Sequence, residues 1–100
     1  MTDTTTAPAA SPLADIIADR LRTALDPIRL TVTNDSHHHA GHMGDDGTGE
    51  SHFSVDAVAE IFAGQSRVAR QRLVNRALAD LLQSRIHALA IRARAPGEGD

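Results

Sequence analysis

The sequence predicts an α+β domain, a two-layer sandwich in which helices cover one face of a three-stranded sheet. Three observations predict it. Apolar residues recur at helical spacing in two separated stretches. The period changes to two in three short stretches. Only one domain's worth of chain is present, 100 residues, enough for a single core of stacked layers and too short for two.

The first helix starts at Ser11-Pro12, with Ser11 as N-cap, Pro12 at the first helical position and Asp15 in the first turn. Leu13, Ile16, Ile17, Leu21 and Leu25 form its apolar stripe, with Arg20 and Arg22 outside it. Asp26-Pro27 ends the helix, because a proline disfavours helical geometry at the residue before it. From 28 to 33, Ile28, Leu30 and Val32 alternate with Arg29, Thr31 and Thr33, the pattern of a half-buried strand. A second strand over 52–58 puts Phe53, Val55 and Ala57 on one face. The simplest pairing of the two is antiparallel, across a long loop rich in Gly, Asp and His. Loops of that length inside compact domains lean functional.

A short helical turn at Glu60-Ile61-Phe62 closes at Gly64, and a longer helix follows over 66–84. Val74, Ala77, Leu78, Leu81 and Leu82 are its apolar stripe, opposite Arg72, Arg76 and Asp80. The last stretch, 86–94, alternates again, with Leu89 and Ile91 on one face and Arg92 and Arg94 on the other. Pro96-Gly97 ends it. The order is therefore α-β-β-α-α-β. Residues 1–10 are expected to be disordered, 11–96 to form the domain, and 97–100 to be a flexible acidic tail.

Composition narrows the function. The chain has no cysteine, hence no disulfide, no thiol nucleophile and no thiolate of its own for a metal cluster. No apolar run approaches the ~18 residues of a membrane span. The first ten residues lack the basic and apolar regions of a secretory signal, so a cytoplasmic location is expected. No G-x-S-x-G, P-loop, G-x-G-x-x-G or H-E-x-x-H occurs. Ser36 and Ser51 flank the loop without the pattern of an activated nucleophile. Asp45-Asp46-Gly47 with Glu50 lacks EF-hand spacing. The chain is not expected to be an enzyme.

The histidines carry the chemistry. Six are present: His37, His38, His39 and His42 in the long loop, His52 opening the second strand and His87 opening the last. In an antiparallel meander, the loop and the start of the third strand can share one end of the sheet, bringing loop imidazoles towards His87. Imidazole suits Zn, Cu, Fe or Ni, but two imidazoles make an incomplete site. The plainer readings are a solvated loop that binds metals adventitiously and structural roles for His52 and His87.

Arg67, Arg70, Arg72 and Arg76 concentrate positive charge on and around the long helix, which follows a short helix and a turn in helix-turn-helix outline. The plainer reading is a solvated face with Asp80 pairing Arg76. A net charge of −3 and the scarcity of aromatics argue against a general polyanion binder.

Asn34-Asp35-Ser36 with His39, Glu50-Ser51-His52-Phe53, Phe62-x-Gly64, Arg70-x-Arg72-x-Val74 and Ile86-His87-Ala88-Leu89 together resemble the BolA family. The resemblance runs from about residue 13 to 96. It implies a fold similar to class II KH domains without their G-x-x-G loop. It also implies an adaptor that pairs with a monothiol glutaredoxin and holds a bridging [2Fe–2S] cluster, in iron–sulfur trafficking or in iron or redox sensing. Glutaredoxin and glutathione would each bring a thiolate, and the isolated chain would hold no cofactor.

By position in the family's motifs the histidine ligands are His39 and His87, with His37, His38 or His42 as substitutes. His52, Phe53 and Gly64 are read as structural. The family is also described as transcriptional regulators, so DNA binding through Arg67, Arg70, Arg72 and Arg76 is the alternative. A weak homodimer is compatible with the sequence, and no membrane partner is expected. Two features depart from the family pattern: Arg70-Gln71-Arg72 stands where Arg-His-Arg is common, and the loop is longer and richer in histidine.

Overall fold

Local signals set the ends of the first helix and the turn that follows the second strand. Residues 11–36 and 51–98 are described in a computed structural model. Helix α1 spans Pro12–Leu25, with the Ser11 hydroxyl accepting from the Ala14 N–H. It ends at Asp26, whose φ of 49° is left-handed and whose N–H donates to the Arg22 carbonyl. Strand β1 is Arg29–Asn34 and β2 is His52–Val58. A 3₁₀ turn, Glu60–Phe62, leads to Gly64, whose φ of 74° is the reason for glycine there, since an added Cβ would meet nothing within 4 Å. Helices α2 (Arg67–Ala77) and α3 (Ala79–Ser84) and strand β3 (Ala88–Arg94) complete the chain.

The sheet order is β1-β2-β3, with β1 antiparallel and β3 parallel to the central strand. This corrects the meander expected for the third strand. The turn and two helices between β2 and β3 carry the chain back along the sheet, as a parallel crossover requires. The correction matters for the site. In a true meander β3 would start at the far end, whereas the parallel crossover starts β3 beside the beginning of β2, with His52 opposite Ala88.

One face of the sheet carries the core. Phe53, Val55 and Ala57 of β2 are buried against Leu13, Ile17, Leu21 and Leu25 of α1 and against Phe62, Val74, Leu78 and Leu81. Each large apolar side chain so buried stabilises the fold by about 1.5–3 kcal/mol. Leu30, Val32, Leu89 and Ile91 pack at the margins. Both layers of the expected sandwich are present.

Three sequence expectations need adjustment. The long helix breaks at Leu78 (φ −113°, ψ 14°). Neither proline nor glycine marks the break; Leu78 is wholly buried in the core, and α3 restarts there to bring Leu81 inward. Both outer strands begin one or two residues late. Ile28 stays 60% exposed at the sheet margin, while Ile86 is buried ahead of β3. Finally, Asp80 pairs with Arg20 of α1 through two contacts of 2.6 and 3.0 Å, joining elements 60 residues apart, where the helix pattern suggested Arg76. The Arg20 guanidinium holds the Asp80 carboxyl below its ordinary range.

Candidate metal centre

At the end of the sheet where β1 stops and β2 starts, buried hydroxyls organise the backbone. Asn34 Oδ1 accepts from the Ser36 N–H at 2.9 Å, a local turn of the type asparagine favours. The Ser36 side chain is buried, and its Oγ accepts from the N–H groups of Ser51 (2.8 Å) and His52 (3.0 Å). One hydroxyl therefore joins the two ends of the segment 37–50. The Asp35 N–H donates to the His52 carbonyl at 2.7 Å, and the Ser54 hydroxyl donates to the Asp35 carboxylate.

Ser51 extends the clasp to the third strand. It is fully buried, and its carbonyl accepts from the N–H of His87 at 2.8 Å and more weakly from Ala88 at 3.3 Å. Its hydroxyl bonds the His52 ring at Nδ1, 2.8 Å away. The His52 and His87 rings then lie with centroids 6.2 Å apart and planes tilted by 44°. His52 is half-buried and His87 is exposed.

The two histidines placed at strand starts thus come together at one end of the sheet. The ends of the histidine-rich segment, Ser36 and Ser51, are held at the same place. His37, His38, His39 and His42 themselves lie outside the described residues. Among the described residues, no three His, Asp or Glu side chains converge as a metal site. The described part of this end supplies a pair of imidazoles, of which His87 faces solvent. The donors at this end are imidazole nitrogens, and the chain has no cysteine to add a thiolate.

The arginines separate into different roles. Arg67, Arg72 and Arg76 are exposed on α2. Arg70 turns back instead: its guanidinium donates to the Glu98 carboxylate at 2.6 and 2.7 Å, to the Ala93 carbonyl at 3.1 Å and to the Gln65 carbonyl at 3.0 Å. Glu98, within the stretch expected to be a tail, also accepts from the Ala95 N–H. Its carboxyl is lowered from 4.5 to about 2, first by the Arg70 hydrogen bonds and then by the Ala95 N–H.

Neither the Ser36 clasp nor the Glu98 contact was anticipated from the sequence. The Asn-x-Ser spacing signals the turn at Ser36, but a hydroxyl's long-range partners leave no local pattern. Phe53 is buried in the core.

Comparison with known proteins identifies the fold. The BolA-like protein family model matches residues 21–98. A Sinorhizobium protein from the cobS 5′ region is 51% identical over 87 residues, covering 86% of this chain and 94% of that protein. The DNA-binding transcriptional regulator BolA of Vibrio cholerae is 47% identical over 79 residues, covering 79% of this chain and 71% of its own length. The solved BolA domain of SufE1 from Arabidopsis thaliana aligns with a TM-score of 0.81 at 40% identity, over 91% of this chain and 100% of the domain. With the α-β-β-α-α-β order in place, the family-model match and these relatives show that this chain belongs to the BolA-like protein family.

Proposed function

We propose that this chain is a non-enzymatic adaptor that pairs with a monothiol glutaredoxin to hold a bridging [2Fe–2S] cluster, in cluster trafficking or in iron or redox sensing. The observation that carries the reading is the exposed His87 at the start of β3, 6.2 Å ring to ring from His52, at the sheet end where the histidine-rich segment closes. His87 is the proposed ligand from the ordered framework, and His39 is the proposed ligand from the loop, with His37, His38 and His42 as substitutes. The chain's own part is to present imidazoles on a rigid strand start; the partner and glutathione bring the thiolates. Mixed imidazole–thiolate ligation raises the reduction potential of such a cluster relative to all-thiolate ligation.

The test is anaerobic reconstitution of the chain with a monothiol glutaredoxin and glutathione, followed by visible absorption and circular dichroism. The heterodimer should give a cluster spectrum distinct from that of glutaredoxin alone, and His87→Ala should abolish that difference. An unchanged spectrum in the variant would remove His87 from the ligand set.

A second reading, a DNA-binding regulator, is favoured by the description of the Vibrio cholerae relative and by the exposed Arg67, Arg72 and Arg76 on α2. It predicts duplex binding that weakens steeply with salt and is lost on neutralising Arg72 and Arg76. Binding unaltered by that change would exclude the helix face as the contact.

A further inference from the structure

The outer strands of the sheet, β1 and β3, each turn backbone groups away from β2, but the two edges differ. In the β1–β2 ladder the Asp35 N–H bonds the His52 carbonyl. That bond sets the parity: Arg29, Thr31, Thr33 and Asp35 turn their N–H and C=O towards β2. Leu30 and Val32 direct theirs outward, and neither meets a partner among the described residues. On β3 the outward Ala93 carbonyl is already taken by the Arg70 guanidinium at 3.1 Å, and the strand carries two arginines and no acid. A bare strand edge is a template for another strand, and proteins blunt such edges. Arg70 blunts β3, whereas the centre of β1 stays open.

The open edge is also self-complementary. Arg29, Thr31, Thr33 and Asp35 share the uncovered face of the sheet, while Leu30 and Val32 lie on the core face and are only half-buried. A second β1 laid antiparallel, with Val32 opposite its own counterpart, sets Arg29 opposite Asp35 at both ends and Thr31 opposite Thr33 twice. The two Val32 residues then exchange N–H···O bonds. The Thr pairs and the Arg–Asp pairs fall at the alternate positions, where facing side chains lie closest. Arg29 is exposed and makes no ion pair among the described residues. The Asp35 carboxylate accepts from the Ser54 hydroxyl through one oxygen, which leaves the other for a guanidinium. A slip of two residues either way sets Arg29 and Asp35 against other partners, so charge selects this register.

We propose that β1 is a self-pairing edge, through which two copies of the chain join antiparallel about Val32 and merge their three-stranded sheets into one. The helices of both copies stay on one face, and the two histidine ends lie at opposite extremes of the joined sheet. This pairing does not depend on cluster binding. Strands this short bury less than the ~1,200 Å² of a stable interface, so the dimer exchanges, with a Kd on the order of 100 μM.

The test is sedimentation equilibrium of the full chain from ~10 μM to ~1 mM, a range in which a dimer should appear. Arg29→Asp sets like charges opposite at both ends and should weaken it by about tenfold or more. Combining Arg29→Asp with Asp35→Arg exchanges the charges and should restore the association to within about threefold. Val32→Pro removes an outward N–H, a change that an edge strand accepts, and should abolish the dimer while the chain still melts cooperatively. Hydrogen exchange on the unaltered chain locates the edge without any substitution. Raising its concentration should slow exchange at the Leu30 and Val32 amides and leave Leu89 and Ile91, the outward residues of β3, unchanged. The proposal is overturned if the chain stays monomeric at ~1 mM, if the concentration-dependent protection falls on β3, or if Arg29→Asp leaves the association unaltered.

Discussion

The histidine end of the sheet and the Arg70–Glu98 contact beside β3 are built by opposite means. At the histidine end, buried neutral groups do the positioning: the Ser36 hydroxyl and the Ser51 carbonyl. Ser36 and Ser51 are nearly inaccessible, and their bonds to backbone amides fix where β2 and β3 begin. At the Arg70 contact, charge does it, with one guanidinium held by two carbonyls and a carboxylate near solvent. Buried hydrogen bonds are insensitive to salt and costly to leave unmade, whereas exposed ion pairs are weak and screened. A site that presents ligands needs the first kind of support.

The largest effect tests the function of the rigid end. Replacing His87 with Ala should eliminate the heterodimer's cluster spectrum while leaving the melting curve of the free chain nearly unchanged, because the side chain is exposed. Loss of folding in that variant would mean that the His52–His87 contact is structural.

Ser36→Ala probes the clasp itself. Two backbone donors, of Ser51 and His52, would lose their acceptor in a buried setting, a cost of about 1–3 kcal/mol each if unrepaired. A destabilisation of ~2–3 kcal/mol in urea unfolding is expected, with faster hydrogen exchange at those two amides. A change below a few tenths of a kcal/mol would show that water takes over the role of the hydroxyl.

The Arg70–Glu98 contact should respond to pH instead. The Glu98 carboxyl is depressed in the folded chain, from 4.5 to about 2. Its contribution to stability is therefore complete above pH ~4.5 and is lost as pH falls towards about 2. Glu98→Gln should flatten that part of the pH–stability curve by lowering stability at neutral pH while leaving stability near pH 2 little altered. An identical acid limb in the two proteins would assign it to other carboxylates.

The smallest effect is expected at the α1–α3 ion pair. Asp80→Asn should shift Tm by no more than a few degrees, and less at high salt, because both Arg20 and Asp80 are largely solvated. A salt-independent loss would show that this pair supports the core like the Ser36 clasp.

Much of this architecture was legible before any coordinates. Ser11-Pro12, the 13/17/21/25 stripe and Asp26-Pro27 bound α1 because capping, amphipathic burial and proline sterics act within a few residues. The boundaries of β2 follow from strict alternation for the same reason. The pairing of His39 with His87 came from the family resemblance; the described residues include only His87 of the two. The break at Leu78, the parallel direction of β3 and the change of partner for Asp80 were not legible. Each depends on where a distant element lies.

By itself, then, the sequence determined the order and chemistry of the parts: helix stripes, strand faces, the absence of thiols and a cluster of histidines. Tertiary structure decided which parts meet. It brought His52 beside His87, joined residues 36 and 51 through one hydroxyl, and set Glu98 on Arg70. Local patterns arise from interactions over a turn or a pleat, whereas these contacts join residues 15 to 35 positions apart. Their geometry exists only once the helices have packed on the sheet and returned β3 to the same end as β2.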